Sequence, residues 1–124
     1  MKQARPINLN LFTIHFPIPS IVSILHRISG VLLFLLIPFM LWGLSLSLTS
    51  QQDFDALRQF FAHSYMKFII WVSLAAFIFH FVAGIRHLLM DIHVGETLKG
   101  GRLTAMITFG VSFLLIILAG IWLW

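Results

Sequence analysis

Three long apolar runs constrain the fold of this chain more than any other feature of its sequence. Residues 28–49 and 103–124 contain no charged side chain, and a third run lies between Lys67 and Arg86. A helix needs about 20 residues to cross the hydrocarbon of a bilayer. With 60% hydrophobic and only 10% charged residues, the chain is predicted to be an all-α membrane protein with three transmembrane helices. We expect one domain, 1–124, with spans at approximately 21–49, 65–89 and 103–124.

Residues 1–20 mix apolar and polar side chains too closely to cross a membrane. They also lack the apolar stretch of a signal peptide, so the first span is expected to direct insertion. We predict an interfacial segment, extended or in a short turn, with Phe12 and Phe16 dipping into the membrane. Ser20 is expected to cap the first helix, which would then open at Ile21.

Lysines and arginines favour one orientation of the three spans. Six lie on the side of the amino terminus and two on the opposite side: Lys2, Arg5, Arg27, Arg86, Lys99 and Arg102 against Arg58 and Lys67. Because basic loops stay in the cytoplasm, the amino terminus and the 91–102 loop are predicted to be cytoplasmic and the carboxyl terminus to lie outside. The four tryptophans are then expected near the outer interface: Trp42, Trp71, Trp122 and Trp124. The net charge of +4 is interpreted as a topology signal and not as nucleic-acid binding.

The chain has no cysteine, which removes several kinds of site. Disulfides, thiolate metal sites, iron–sulfur clusters and covalently attached c-type haem all need that residue. The sequence also lacks a glycine-rich phosphate loop and a His-Glu-x-x-His motif. We therefore expect no hydrolytic or group-transfer active site, and any metal ligand should be a histidine.

His80 lies inside the apolar run 68–85, where an ionisable side chain needs a partner and indicates a functional site. Gly84, His87 and Asp91 follow at i+4, i+7 and i+11, on the same face of a helix. The glycine leaves room for a flat group beside the imidazole. A simpler interpretation of His80 stays open, in which it only forms a hydrogen bond with a neighbouring helix. For His87 and Asp91 there are two interpretations, an imidazole oriented by the carboxylate or a solvated helix end, and we favour the solvated helix end.

Haem iron is the metal site that suits His80 best, because no carboxylate or thiol lies at the same depth. His87 cannot be the second axial ligand, since seven residues separate the two by about 10 Å along a helix. His26 is estimated to lie at a shallower depth, and the other three histidines lie outside the spans: His15, His63 and His93. The second ligand is then expected to come from another chain, with haem bridging the two subunits.

The start of the first span carries a second polar cluster. Ser23, Arg27 and Gly30 share one helical face, with His26 beside them. A hydroxyl and a guanidinium at the edge of the hydrocarbon can hold the carbonyl or carboxylate of a lipophilic molecule. The alternative is that Arg27 anchors the topology while serine and glycine serve helix packing.

These motifs resemble the cytochrome b556 membrane-anchor subunits of bacterial succinate dehydrogenase, respiratory complex II. The resemblance covers nearly the whole chain and rests on three stretches: Arg5-Pro6-Ile7-Asn8-Leu9, Ser23-x-x-His26-Arg27-x-Ser29-Gly30, and His80-x-x-x-Gly84-x-Arg86-His87. The family implies that His80 is an axial ligand of haem b, with the second ligand on a partner, and that His26 and Arg27 lie near the haem propionates. It also implies a ubiquinone pocket with Ser23 and Arg27 as its polar groups and three apolar lining residues: Leu11, Phe16 and Ile24.

The same resemblance implies a function and a set of partners. The chain would be half of a two-subunit helical bundle in a bacterial inner membrane, anchoring an iron–sulfur subunit and a flavoprotein subunit at the cytoplasmic face. It would help to pass electrons from succinate to ubiquinone, linking the tricarboxylic acid cycle to the respiratory chain, without oxidising succinate itself. A haem-free structural anchor is the alternative. A small transporter is disfavoured, because three helices without an internal repeat offer little to rock around a central site.

Overall fold

The computed structural model describes Asn10 and residues 12–124 and contains four helices in that part of the chain. These are α1 (Ile18–Ser47), α2 (Gln51–Ala62), α3 (Ser64–Asp91) and α4 (Leu98–Leu123). Helices α1, α3 and α4 are long and apolar enough to cross a membrane. The prediction of an all-α membrane protein with three spans is confirmed.

Helix α1 begins three residues earlier than predicted. Its N-cap is Pro17, without a side-chain cap bond, and Pro19 occupies the first turn, where a missing N–H costs nothing. The expected Ser20 cap was therefore wrong, since Ser20 already lies inside the helix. Before α1, a turn at Asn10 leaves Phe12 fully exposed.

Helix α2 connects the first two spans and was not predicted. The Ser50 hydroxyl caps it by accepting the amide N–H of Asp53. Its apolar side chains recur with a helical period among polar ones. The polar residues make its average hydropathy too low to mark it as a span. It occupies the end of the bundle opposite the start of α1.

The turn from α3 to α4 follows from specific backbone chemistry. The amide of His93 donates to the carbonyl of Met90 and that of Val94 to the carbonyl of Leu89, which is a Schellman ending. His93 takes the left-handed conformation there, with φ 67°, and Gly95 has φ 80°. Thr97 then caps α4 by accepting the amide N–H of Gly100. This turn lies at the same end of the bundle as the start of α1.

Small residues bring the three spans together. Val22, Ala83 and Ala105, one from each span, are fully buried and form the centre of the contact. Four polar residues of the described part of the chain are also buried: Ser29, Arg86, Thr108 and Ser112. Most large apolar side chains face outward, as expected where lipid or another membrane subunit supplies the surroundings.

Candidate functional site

His80 on α3 points at α1, where its Nδ1 forms a triangle with two oxygen atoms. Nδ1 lies 3.0 Å from the carbonyl oxygen of His26 and 3.1 Å from Oγ of Ser29. Oγ of Ser29 donates to the same carbonyl at 2.9 Å. A carbonyl oxygen only accepts, so this arrangement puts the proton on Nδ1 and leaves the lone pair on Nε2. Among the described residues, no hydrogen bond uses Nε2.

The imidazole of His26 stacks on that of His80, with ring centroids 4.1 Å apart and an angle of 12° between the planes. The estimate that placed His26 at a shallower depth was wrong. The stacking places the two rings at the same level of the bundle, and the early start of α1 places His26 about 4.5 Å further from the beginning of its helix than predicted. Stacked rings do not face each other across a metal, so the two histidines are not trans ligands of one iron in this arrangement.

Two glycines allow this close approach. A Cβ atom at Gly30 would lie 3.0 Å from Cε1 of His80, and one at Gly84 would lie 3.6 Å from Nε2 of His26. The space predicted beside Gly84 therefore exists, but the His26 ring lies against it.

His87 extends the cluster on the other side of His26, with ring centroids 4.8 Å apart. Asp91 is exposed, and no hydrogen bond joins it to His87 in the described part of the chain. The favoured interpretation as a solvated helix end therefore holds for Asp91 and was wrong for His87, which is half-buried against His26. The remaining histidines are exposed and outside the three spans: His15, His63 and His93.

The residues predicted to bind quinone lie on one end of α1 and just before it. Ser23 is half-buried and Arg27 is exposed, one helical turn further along. Neither side chain makes a hydrogen bond or ion pair with the described residues, so both stay available to a molecule outside this chain. Ile24 and Phe16 are also exposed. Leu11 lies outside the described residues.

Comparison with known proteins gives a consistent result. A family model described as "Succinate dehydrogenase/Fumarate reductase transmembrane subunit" matches residues 1–119. This chain belongs to that family. It is 45% identical over 125 residues to the succinate dehydrogenase cytochrome b556 subunit of Coxiella burnetii, covering 100% of both chains. It is 35% identical to the subunit of that name from Rickettsia felis, over 92% of this chain and 89% of the relative. The cytochrome b560 subunit of Reclinomonas americana is 34% identical, with 98% and 88% covered.

This family member also buries a charged residue, which its sequence had placed among the basic residues of the amino-terminal side and in the motif around His80. Arg86 is 4% exposed, between α3 and α4. Its Nε donates to Oγ1 of Thr104 at 3.2 Å, and Nη2 donates to the carbonyl of Gly101 at 3.3 Å. No carboxylate of the described residues pairs with it. Arg86 therefore fastens the start of α4 to the end of α3.

The donor set at His80 fits one axial position of a haem iron. A metal-bound histidine usually donates its other ring N–H to a carbonyl or carboxylate, as Nδ1 does here to the His26 carbonyl. The described residues contain no group of three histidine, cysteine, aspartate or glutamate side chains placed to hold a metal.

The sequence did not predict the contact between Ser29 and His80. The signal was present, because Ser29 and Gly30 are adjacent small residues in a span and mark a close helix contact. Periodicity along α1 could not show that the contact would be made by His80.

Proposed function

We propose that this chain is a haem-binding membrane anchor of succinate dehydrogenase that also contributes to a ubiquinone site. The observation that carries the proposal is the state of His80: its Nδ1 is fully bonded to α1 and its Nε2 lone pair has no partner among the described residues. Such an imidazole is already oriented for a ligand on Nε2.

His80 would hold haem b, which supplies a one-electron carrier when bound. His26 and Arg27 would contact the propionates, and the second axial ligand would come from a second small membrane-anchor subunit. The stacked His26 ring restricts rotation of His80, and the carbonyl of His26 fixes its tautomer. Both contacts act before any ligand arrives, so the ligand geometry is preorganised by α1.

The quinone site would lie at the start of α1. Arg27 and Ser23 would donate to a quinone oxygen, and both donors stabilise the negative charge that develops there during reduction. Their lack of hydrogen bonds to the described residues supports this role. Phe16, Ile24 and Leu11 would supply apolar lining. Quinone reduction takes up protons, which suits a site at the edge of the membrane.

The remaining features concern the assembly. The iron–sulfur and flavoprotein subunits would dock at the end that holds the start of α1 and the α3–α4 turn, facing the cytoplasm of a bacterial inner membrane. The excess of lysine and arginine at that end supports this orientation. The carboxyl terminus would face the periplasm, and succinate would be oxidised in the soluble subunits.

A haem-free structural anchor is the second candidate. It is favoured by the same triangle, because a histidine that only joins two helices would also satisfy Nδ1 with a neighbouring carbonyl.

Optical spectra of the purified complex separate the two candidates. We expect a b-type α-band in the reduced-minus-oxidised spectrum, and its loss in His80→Ala. His63→Ala, which changes an exposed histidine outside the spans, is the matched control. A wild-type complex without the band, or a normal band in His80→Ala, contradicts the haem assignment.

The quinone assignment has its own test. Ser23→Ala and Arg27→Ala should lower quinone-linked succinate oxidation while dye-linked oxidation stays near wild type. Ser45→Ala on α1 and the exposed Arg58→Ala on α2 are the matched controls, at the far end of the bundle. A parallel fall of both rates contradicts the assignment, since it indicates damage to the assembly.

A further inference from the structure

Ser29 occupies an unusual position for a serine in an apolar helix. It is 5% exposed, and its hydroxyl donates to the carbonyl of His26 on its own helix. This bond is common for serine in membrane helices and by itself has no functional meaning. Ser29 differs because the lone pairs of the same oxygen face Nδ1 of His80 on α3, at 3.1 Å.

The position of the imidazole proton determines whether Ser29 donates or accepts in its contact with Nδ1 of His80. If Ser29 donated to Nδ1, the Nδ1 lone pair would face the His26 carbonyl oxygen at 3.0 Å, and two acceptors would repel each other. The Ser29 hydrogen is instead used on the His26 carbonyl. Nδ1–H is then shared between two acceptors, the carbonyl of His26 and the hydroxyl oxygen of Ser29.

We propose that Ser29 is a positioning residue that acts through His80 to set the electron donation of the haem ligand. The inference rests on the proposed haem function and deepens it. An acceptor on Nδ1–H increases the basicity of Nε2, and a more basic ligand favours the oxidised iron. By adding a second acceptor, Ser29 lowers the haem reduction potential. Its burial keeps water from replacing the hydroxyl.

The chain offers a close control for this hydroxyl. Ser73 lies on α3, the helix of His80, and donates to its own helix through the carbonyl of Ile69 at 2.9 Å. Among the described residues it forms no hydrogen bond with an imidazole. Ser73→Ala therefore removes the same kind of helix bond without touching the ligand.

The test compares Ser29→Ala, Ser29→Thr and Ser73→Ala in the assembled complex. The readouts are the haem content, the haem midpoint potential by optical redox titration, and the EPR spectrum of the ferric haem. We expect a higher potential and an altered EPR spectrum in Ser29→Ala, and wild-type values in Ser73→Ala. Ser29→Thr retains the hydroxyl and should return the potential toward wild type.

Each other outcome has a defined meaning. A potential in Ser29→Ala that is unchanged, lower, or equal to that of Ser73→Ala overturns the role of Ser29. If Ser29→Ala loses haem, the Ser29→Thr variant separates two explanations. Retained haem in Ser29→Thr supports the need for the hydroxyl. Loss of haem in both variants shows that only the side-chain volume at position 29 matters, and it overturns the role of the Ser29 hydroxyl. Absence of haem from the wild-type complex is a separate result, because it removes the proposed function itself.

Discussion

His26 contacts His80 twice, once through its backbone carbonyl, 3.0 Å from Nδ1, and once through its ring, 4.1 Å between centroids. The two contacts have different origins. The carbonyl is present whatever residue occupies position 26, while the ring belongs to histidine. Substitutions at this position therefore separate ring stacking from the bond that fixes the tautomer of His80.

His26→Ala should weaken haem binding without abolishing it. An aromatic pair contributes about 0.5–1.5 kcal/mol, which corresponds to a roughly twofold to tenfold loss of affinity. His26→Phe keeps a flat ring but loses the proposed polar contact with the propionates, so it should retain more of the affinity than His26→Ala. The measurements are the haem content per complex and the rate of haem loss to an acceptor protein. Equal losses in the alanine and phenylalanine variants contradict the stacking argument and indicate a polar contact of His26 instead.

Gly30→Ala should disturb His80 directly. The new Cβ would lie 3.0 Å from Cε1 of His80, closer than the ordinary 3.5–4.0 Å separation of carbon atoms. We expect a lower haem content and a changed EPR spectrum. Gly43→Ala is the matched control, because it lies on the same helix with nothing within 4 Å of the added atom. That control should be neutral or stabilising by up to about 1 kcal/mol, as alanine favours helix. Identical haem spectra in the two variants contradict the predicted clash.

The fold was predictable because the length and polarity of each span are local properties. An apolar helix of about 18 residues can be recognised from the composition of its segment. Helix α2 cannot, because Asp53, Asp55 and Arg58 lower the average hydropathy of its segment. Helix ends were less predictable, because Pro17 at the N-cap and Pro19 in the first turn suit a helix start as well as Ser20 suits a cap.

The candidate site was predictable only along one helix. Periodicity placed His80, Gly84 and His87 on one face of α3, and that face does meet α1. Periodicity along α3 could not predict how α1 is rotated about its own axis. That rotation brings Ser29 and His26 into contact with His80. The burial of Arg86 depends likewise on how α4 docks, so the sequence did not predict it.

Arg86→Gln should destabilise the end of the bundle that holds the α3–α4 turn. The substitution removes the two bonds to Thr104 and Gly101 and leaves a buried carbonyl with fewer donors. Loss of a buried hydrogen-bond partner costs about 1–3 kcal/mol. We expect a lower midpoint in thermal denaturation of the detergent-purified complex. The exposed Arg102→Gln on α4 is the control, and an equal effect of both variants would refute a specific role for the buried guanidinium.

Gly120→Ala should weaken the opposite end of the bundle by displacing Trp71. The indole Nε1 of Trp71 donates to the carbonyl of Ile116 at 2.9 Å, and a Cβ at Gly120 would lie 3.0 Å from that nitrogen. Trp71 is therefore bonded within the bundle. We expect a loss of about 1–3 kcal/mol in the apparent free energy of unfolding.

Gly110→Ala on the same helix is the control, because nothing lies within 4 Å of its added atom. A double-mutant cycle then assigns the effect to the indole. In a Trp71→Phe background the bond to Ile116 is already absent and the smaller ring leaves more space, so Gly120→Ala should cost much less there than in the wild-type chain. If Gly120→Ala costs the same in both backgrounds, the destabilisation comes from another neighbour of Gly120, and the Trp71 contact does not join α3 to α4 in the way that its geometry indicates.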